Sequence, residues 1–150
     1  MKLKHPTFLY LQRQHKEIIF FIYKLKKQQP GLIKIKPHQL TIKKIYAIEF
    51  YYNFLEQHFN NEETKLFPTI KDFLNSEKII LETLINQHNE FKKYIKKIEN
   101  TLIDRLPAKL KEFALELEEH LKIEEEKLFT YCENVVPPDV LNNIKESFSH

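Results

Sequence analysis

Apolar residues recur at three- and four-residue spacing along most of this chain, the periodicity of one face of an α-helix. Leu11, Ile18, Ile22 and Leu25 form the first stripe; Pro6 and Thr7 can open this helix, and it should end near Gln29 because Pro30-Gly31 cannot continue it. A connection through Ile35 and Pro37 follows. The second helix should start around His38 to Thr41 and carry Ile45, Ile48, Tyr51, Tyr52, Leu55, His58, Glu62 and Leu66 before Pro68 disturbs it, with an extra turn to about Leu74. Asn75-Ser76 offers an N-cap to a third helix running from about residue 77 to Asp104. Pro107 suits the first turn of a fourth, which extends to about Asn134. Val135-Val136-Pro137-Pro138 breaks it, and Asp139 can cap a short fifth helix ending near Phe148.

A single glycine and the lack of Asn-Gly or Asp-Gly turns argue against β-hairpins, so the pattern predicts an all-α chain. Four long helices with short connections pack most simply as an antiparallel up-down-up-down four-helix bundle, here with a short C-terminal fifth helix. The 150 residues fit one domain spanning 1–150. A chain of this size buries about two-thirds of its unfolded surface, so a metal is not needed merely for folding.

Charge changes this picture little. The 24 Lys+Arg against 21 Asp+Glu give a formal net charge of +3, too balanced to indicate a nucleic-acid protein, and the lysine clusters read as solvated helix faces. One cysteine, Cys132, excludes an internal disulfide and fits a reducing compartment. The longest apolar run, Ile18 to Tyr23, is far below the roughly 18 residues of a membrane span. The N-terminus, interrupted by Pro6, Gln12 and Arg13, does not read as a signal peptide. A soluble cytoplasmic protein is the expectation.

The candidate chemistry lies in a repeat. His58-Phe-Asn-Asn-Glu-Glu-Thr-Lys-Leu-Phe67 recurs as His120-Leu-Lys-Ile-Glu-Glu-Glu-Lys-Leu-Phe129. Residues four apart sit about 40° apart around a helix, so His58 faces with Glu62, and His120 with Glu124. Both pairs lie at a similar depth before the end of their helix, roughly 15 Å in from the end where the first and third helices begin. At that depth those helices carry His15 and His88. Four imidazoles and two carboxylates meeting in a bundle core would each be costly without partners. A pair of metal ions resolves this, and a mixed nitrogen and oxygen donor set favours iron, with manganese or zinc as substitutes. Six protein ligands cannot fill two octahedra, which leaves open positions.

His15, the His58-to-Pro68 segment, His88, and His120 to Glu124 with Leu128-Phe129 together resemble the hemerythrin-like (HHE cation-binding) domain over nearly the whole chain. The resemblance implies a non-haem di-iron centre in which His15 and His58 bind one iron, His88 and His120 the other, and Glu62 and Glu124 bridge them. The open positions would take O2, NO or peroxide. Oxygen carriers of the family have five histidines, two of them four residues apart on the third helix; here the positions flanking His88 at that spacing are Leu84 and Lys92. Their last bridging acid is usually an aspartate five residues after its histidine, whereas Glu124 is four after. The four-His, two-Glu set looks more like domains that sense iron or oxygen, handle nitric oxide, or repair iron–sulfur clusters. An enzyme turning over peroxide or nitric oxide is the alternative use of the same centre. A metal-free helical adaptor, its inward histidines only hydrogen-bonded to the glutamates, is the reading from another class.

Among nearby residues, Glu63 and Glu125 should point about 140° from their histidines, toward solvent unless a bulged turn brings them inward. Glu116 and Tyr51 stand one or two turns from a ligand as candidate hydrogen-bond partners, with Tyr51 reading better as core. His5, His38 and His150 read as solvated. No Glu-x-x-His, no His-Glu-x-x-His and no Gly-rich phosphate loop occurs, which counts against ferritin-like, metalloprotease and nucleotide-binding chemistry.

Overall fold

The computed structural model describes residues 2–27 and 36–148, and all regular structure among them is helical. Helix α1 (Pro6–Lys26) is opened by His5, whose Nδ1 accepts from the Thr7 N–H at 3.1 Å. His5 is therefore a half-buried cap and not a solvated side chain. The expected stop at Pro30-Gly31 and the Ile35 connection lie outside the described residues, as does His150.

The second long helix begins as α2 (Pro37–Phe50) and runs through a π-helical turn (Tyr51–Leu55), α3 (Glu56–Asn61), a second π turn (Glu62–Leu66), α4 (Phe67–Ile70) and a 3-10 turn (Lys71–Phe73). Pro68 does not end it. The preceding turn is widened so that the Phe67 N–H bonds to the Glu62 carbonyl five residues back, which relaxes the ladder where a proline would strain it. The buried stripe is Leu40, Ala47, Tyr51, Leu55, His58, Glu62 and Leu66. Ile45 and Tyr52, expected on it, are exposed, as is Ile19 beside His15, because each sits off the helical azimuth of that stripe.

Helix α5 (Lys78–Glu99) starts without a side-chain cap from Asn75 or Ser76 and stops before Asp104. The side chains of Asn100 and Thr101 bond back to the carbonyls of Lys96 and Lys97, competing with the backbone ladder there. Pro107 lies in the first turn of α6 (Leu106–Ile123), which continues through a π turn (Glu124–Phe129) into α7 (Thr130–Val135). Helix α8 (Pro138–Ser147) is capped at Pro137, with Asp139 inside its first turn, where a carboxylate favours the helix dipole.

Helix α1 packs on α2 and α6, α5 packs on the same two, and α8 docks against α1. The interior divides into two apolar clusters. One contains Ile18, Phe21, Leu55, Phe59, Phe91, Ile95, Phe113 and Leu117. The other contains Phe8, Leu11, Leu66, Phe67, Leu84, Leu128, Phe129 and Leu141. Between them lies a layer of buried polar side chains. No described helix is long and apolar enough to cross a membrane.

Candidate metal centre

The polar layer is made by His15 on α1, His58 and Glu62 on the second long helix, His88 on α5, and His120 and Glu124 on the fourth; none is more than 4% exposed. Each comes inward because it continues an apolar stripe, as His88 does between Leu84 and Phe91. Helical periodicity thus brings all six together.

Glu62 lies between two histidines. Its Oε2 is 3.4 Å from His58 Nε2 and its Oε1 is 3.2 Å from His88 Nε2. Glu124 does the same, with Oε2 3.4 Å from His15 Nε2 and Oε1 2.5 Å from His120 Nε2. Two overlapping groups result, His15/His58/Glu62/Glu124 and Glu62/His88/His120/Glu124, each with donor atoms within 4.8 Å of one another. Both carboxylates belong to both groups, offering one oxygen to each histidine pair.

The outer ring nitrogens meet two glutamines that sequence reasoning passed over and the two glutamates it expected to turn inward only at a bulged turn. His58 Nδ1 lies 2.7 Å from Gln14 Oε1, and His120 Nδ1 lies 2.6 Å from Gln87 Oε1. His88 Nδ1 lies 2.8 Å from Glu63, and His15 Nδ1 lies 3.2 Å from Glu125. Glu63 and Glu125 are therefore half-buried partners of histidines on the next helix. One residue past an inward glutamate is a rotation of about 100°, which aims the side chain at a neighbouring helix. A partial sequence signal was present: Gln14-His15 and Gln87-His88 share a Gln-His step that Gln57-His58 also shows, and Glu-Glu follows each repeated histidine. Glu116 is not such a partner, being exposed and accepting from the Tyr94 hydroxyl. Tyr51 is buried in the core, its phenol pushed up to about 12 by burial and then by the charge of Glu56. Cys132 is a buried filler whose thiol burial pushes up to about 12, and His38 is exposed.

Without cations the layer neutralises itself with protons. Burial opposes charge on His15, but the carboxylates of Glu124 and Glu125 outweigh it and hold the ring's pKa at about 10. Burial likewise opposes charge on His88, which Glu62 and Glu63 nevertheless hold at about 9. His58 is pushed down to about 3 by burial and by charged His15. His120 falls to about 4, burial dominating. Burial, with Glu124 alongside, raises the Glu62 carboxyl well above the usual range; Glu124 lies well below it, because His120 and the other hydrogen-bonding neighbours overcome its burial.

A pH optimum of stability follows for the metal-free protein. His58 and His120 contribute stability that is present above the unfolded pKa of about 6.5 and is lost as pH falls toward 4 and 3. His15 and His88 contribute stability that is full below about 6.5 and is lost as pH rises through 9 and 10. Melting temperature followed by circular dichroism should peak near neutrality and fall on both sides; a flat alkaline limb would contradict the raised pair.

The donor set fits a cation. Both oxygens of Glu62, both of Glu124, and Nε2 of His15 and His58 are buried without a well-formed hydrogen bond. Buried polar groups are normally paired, so six such atoms in one layer mark a site built for something else. The profile of the hemerythrin HHE cation-binding domain matches residues 9–132. The chain belongs to this family. A comparison with curated proteins found no match. The matched span of this HHE domain takes in all four histidines and both shared glutamates, so the cation-binding family and the buried His/Glu cluster point to the same layer. A surface groove of about 1150 Å³, lined by Gln12, Ile19 and Leu115, touches the layer only through Glu125 and is not the cation site.

Proposed function

We propose that the chain is a single hemerythrin-like domain of up-down-up-down topology holding a non-haem di-iron centre, cytoplasmic in location, that binds or senses O2, NO or peroxide. His15 and His58 would hold one iron, His88 and His120 the other, and Glu62 and Glu124 would bridge them. The observation carrying this reading is the sharing of both carboxylates between the two histidine pairs, with their oxygens left without a well-formed hydrogen bond. Iron held there would supply redox chemistry and open coordination positions.

The chain's own residues exclude water and shape the approach. Phe59 stacks on His88 at 4.1 Å, Phe129 on His15 at 5.6 Å and Phe54 on His58 at 6.4 Å. Of the two positions four residues from His88, Leu84 is fully buried and Lys92 is exposed, so apolar carbon takes the inward one. Such a surround favours small, weakly hydrated ligands over ions.

Stopped-flow mixing of the reduced iron-loaded protein with O2, NO and H2O2 tests the role. One stoichiometric, slowly reversed reaction is the expected result. Multiple turnovers would assign an enzyme instead, and no reaction with any of the three would overturn the ligand-binding reading.

A further inference from the structure

The four partners of the outer ring nitrogens are arranged with a regularity that binding alone does not require. Gln14 on α1 reaches His58 on the second long helix, and Glu63 on that helix reaches His88 on α5. Gln87 on α5 reaches His120 on α6, and Glu125, at the start of the next π turn, reaches back to His15 on α1. The contacts close a circuit around the layer, each helix supplying one partner and receiving one.

Each of these contacts offers the imidazole an oxygen. The Gln14 amide is oriented by its own Nε2, which donates to the Tyr10 hydroxyl at 3.2 Å and turns Oε1 toward His58. The Glu125 carboxylate is steadied at its other oxygen by Gln12 Nε2 at 2.9 Å. An imidazole nitrogen facing a carboxylate or amide oxygen carries the proton, which leaves the other nitrogen's lone pair for a cation. Once a cation displaces the inner protons of His15 and His88, the circuit aims four Nε2 lone pairs inward.

The partners also alternate in charge. The first group contains one carboxylate-backed imidazole, His15, and one amide-backed imidazole, His58; the second contains His88 and His120 in the same two roles. A carboxylate on the outer nitrogen makes an imidazole a stronger donor than an amide does. Two carboxylates on one group would make the positions unequal, whereas the alternation divides them evenly.

We infer that Gln14, Glu63, Gln87 and Glu125 are positioning residues that hold all four imidazoles with Nδ1 protonated, and that their alternation makes the two cation positions equivalent. This rests on the cation centre proposed above, with neither position reserved for a different metal.

Zinc(II) is the probe, since it needs no redox control. Chelator competition with native mass spectrometry should give two zinc ions per wild-type chain, with affinities within roughly threefold of each other. Glu125→Ala should weaken one zinc by about 10–100-fold and spare the other, and Glu63→Ala should do the same at the opposite position. Glu125→Gln and Glu63→Gln, which keep an acceptor oxygen, should recover most of that loss. Nitrogen-15 histidine spectra of the zinc-loaded protein should show a proton on Nδ1 of all four rings. Glu63 and Glu125 are partly exposed, and circular dichroism of their metal-free variants should show the helix content of wild type, which separates positioning from folding. Two wild-type zinc affinities differing more than about tenfold, or alanine variants that leave both unchanged or lower both equally, would overturn this inference alone. A wild-type chain that binds no zinc would overturn the cation centre and this inference with it.

Discussion

Replacing Glu62 by glutamine is expected to abolish uptake of both cations while leaving the metal-free fold within about 1 kcal/mol of wild type. Glu62 offers one oxygen to each histidine pair, so the substitution puts an amide nitrogen in place of one of these oxygens and an uncharged carbonyl in place of the other. The loss should exceed the roughly 10–100-fold that removing an outer partner costs. In the metal-free protein, burial and neighbouring Glu124 raise the Glu62 carboxyl well above the usual range, and glutamine is a neutral group of the same shape. Glu124→Gln should behave differently. That carboxyl is held ionised opposite the histidines, and breaking a buried charge pair costs about 3–5 kcal/mol. Elemental analysis and urea unfolding of both variants measure these effects. A strongly destabilised metal-free Glu62→Gln protein would favour a structural adaptor held together by its histidine and glutamate contacts.

Phe59→Ala is expected to lose about 3–5 kcal/mol, the usual cost of deleting a buried aromatic ring. Phe59 is 3% exposed and stacks on His88 at 4.1 Å, with edge contacts to His58 and His120. It closes the first apolar cluster against the polar layer, so truncation leaves a void beside three imidazoles. Urea unfolding of the metal-free protein should give this loss, and Phe59→Leu should restore part of it by refilling the volume. A loss below about 1 kcal/mol would mean that the layer collapses around the void and is not held in place by aromatic packing.

The six layer residues were legible in the sequence because helical periodicity fixes azimuth and depth together. His15, His58, His88 and His120 each continue a visible apolar stripe, and the repeated His-x-x-x-Glu sets the carboxylates beside them. Other features depend on neighbours that no single helix reveals. The π turns starting at Glu62 and Glu124 arise where a widened ladder carries the chain past the layer, and α-helical spacing alone does not announce them. Gln14, Gln87, Glu63 and Glu125 find their partners on an adjacent helix, so reading faces one helix at a time sent the two glutamates to solvent unless a bulged turn intervened, and both lie in such a π turn. One helix end was displaced where local side chains decide: Asn100 and Thr101 end α5 before Asp104.

The most direct measurement is iron per chain in protein purified after iron-replete expression, combined with X-ray absorption at the iron edge. Two irons per chain, with only nitrogen and oxygen donors and a second iron at about 3.5–4 Å, is the expected result. Well under one iron per chain, or a single iron with no iron neighbour, would contradict a di-iron centre on His15, His58, Glu62, His88, His120 and Glu124.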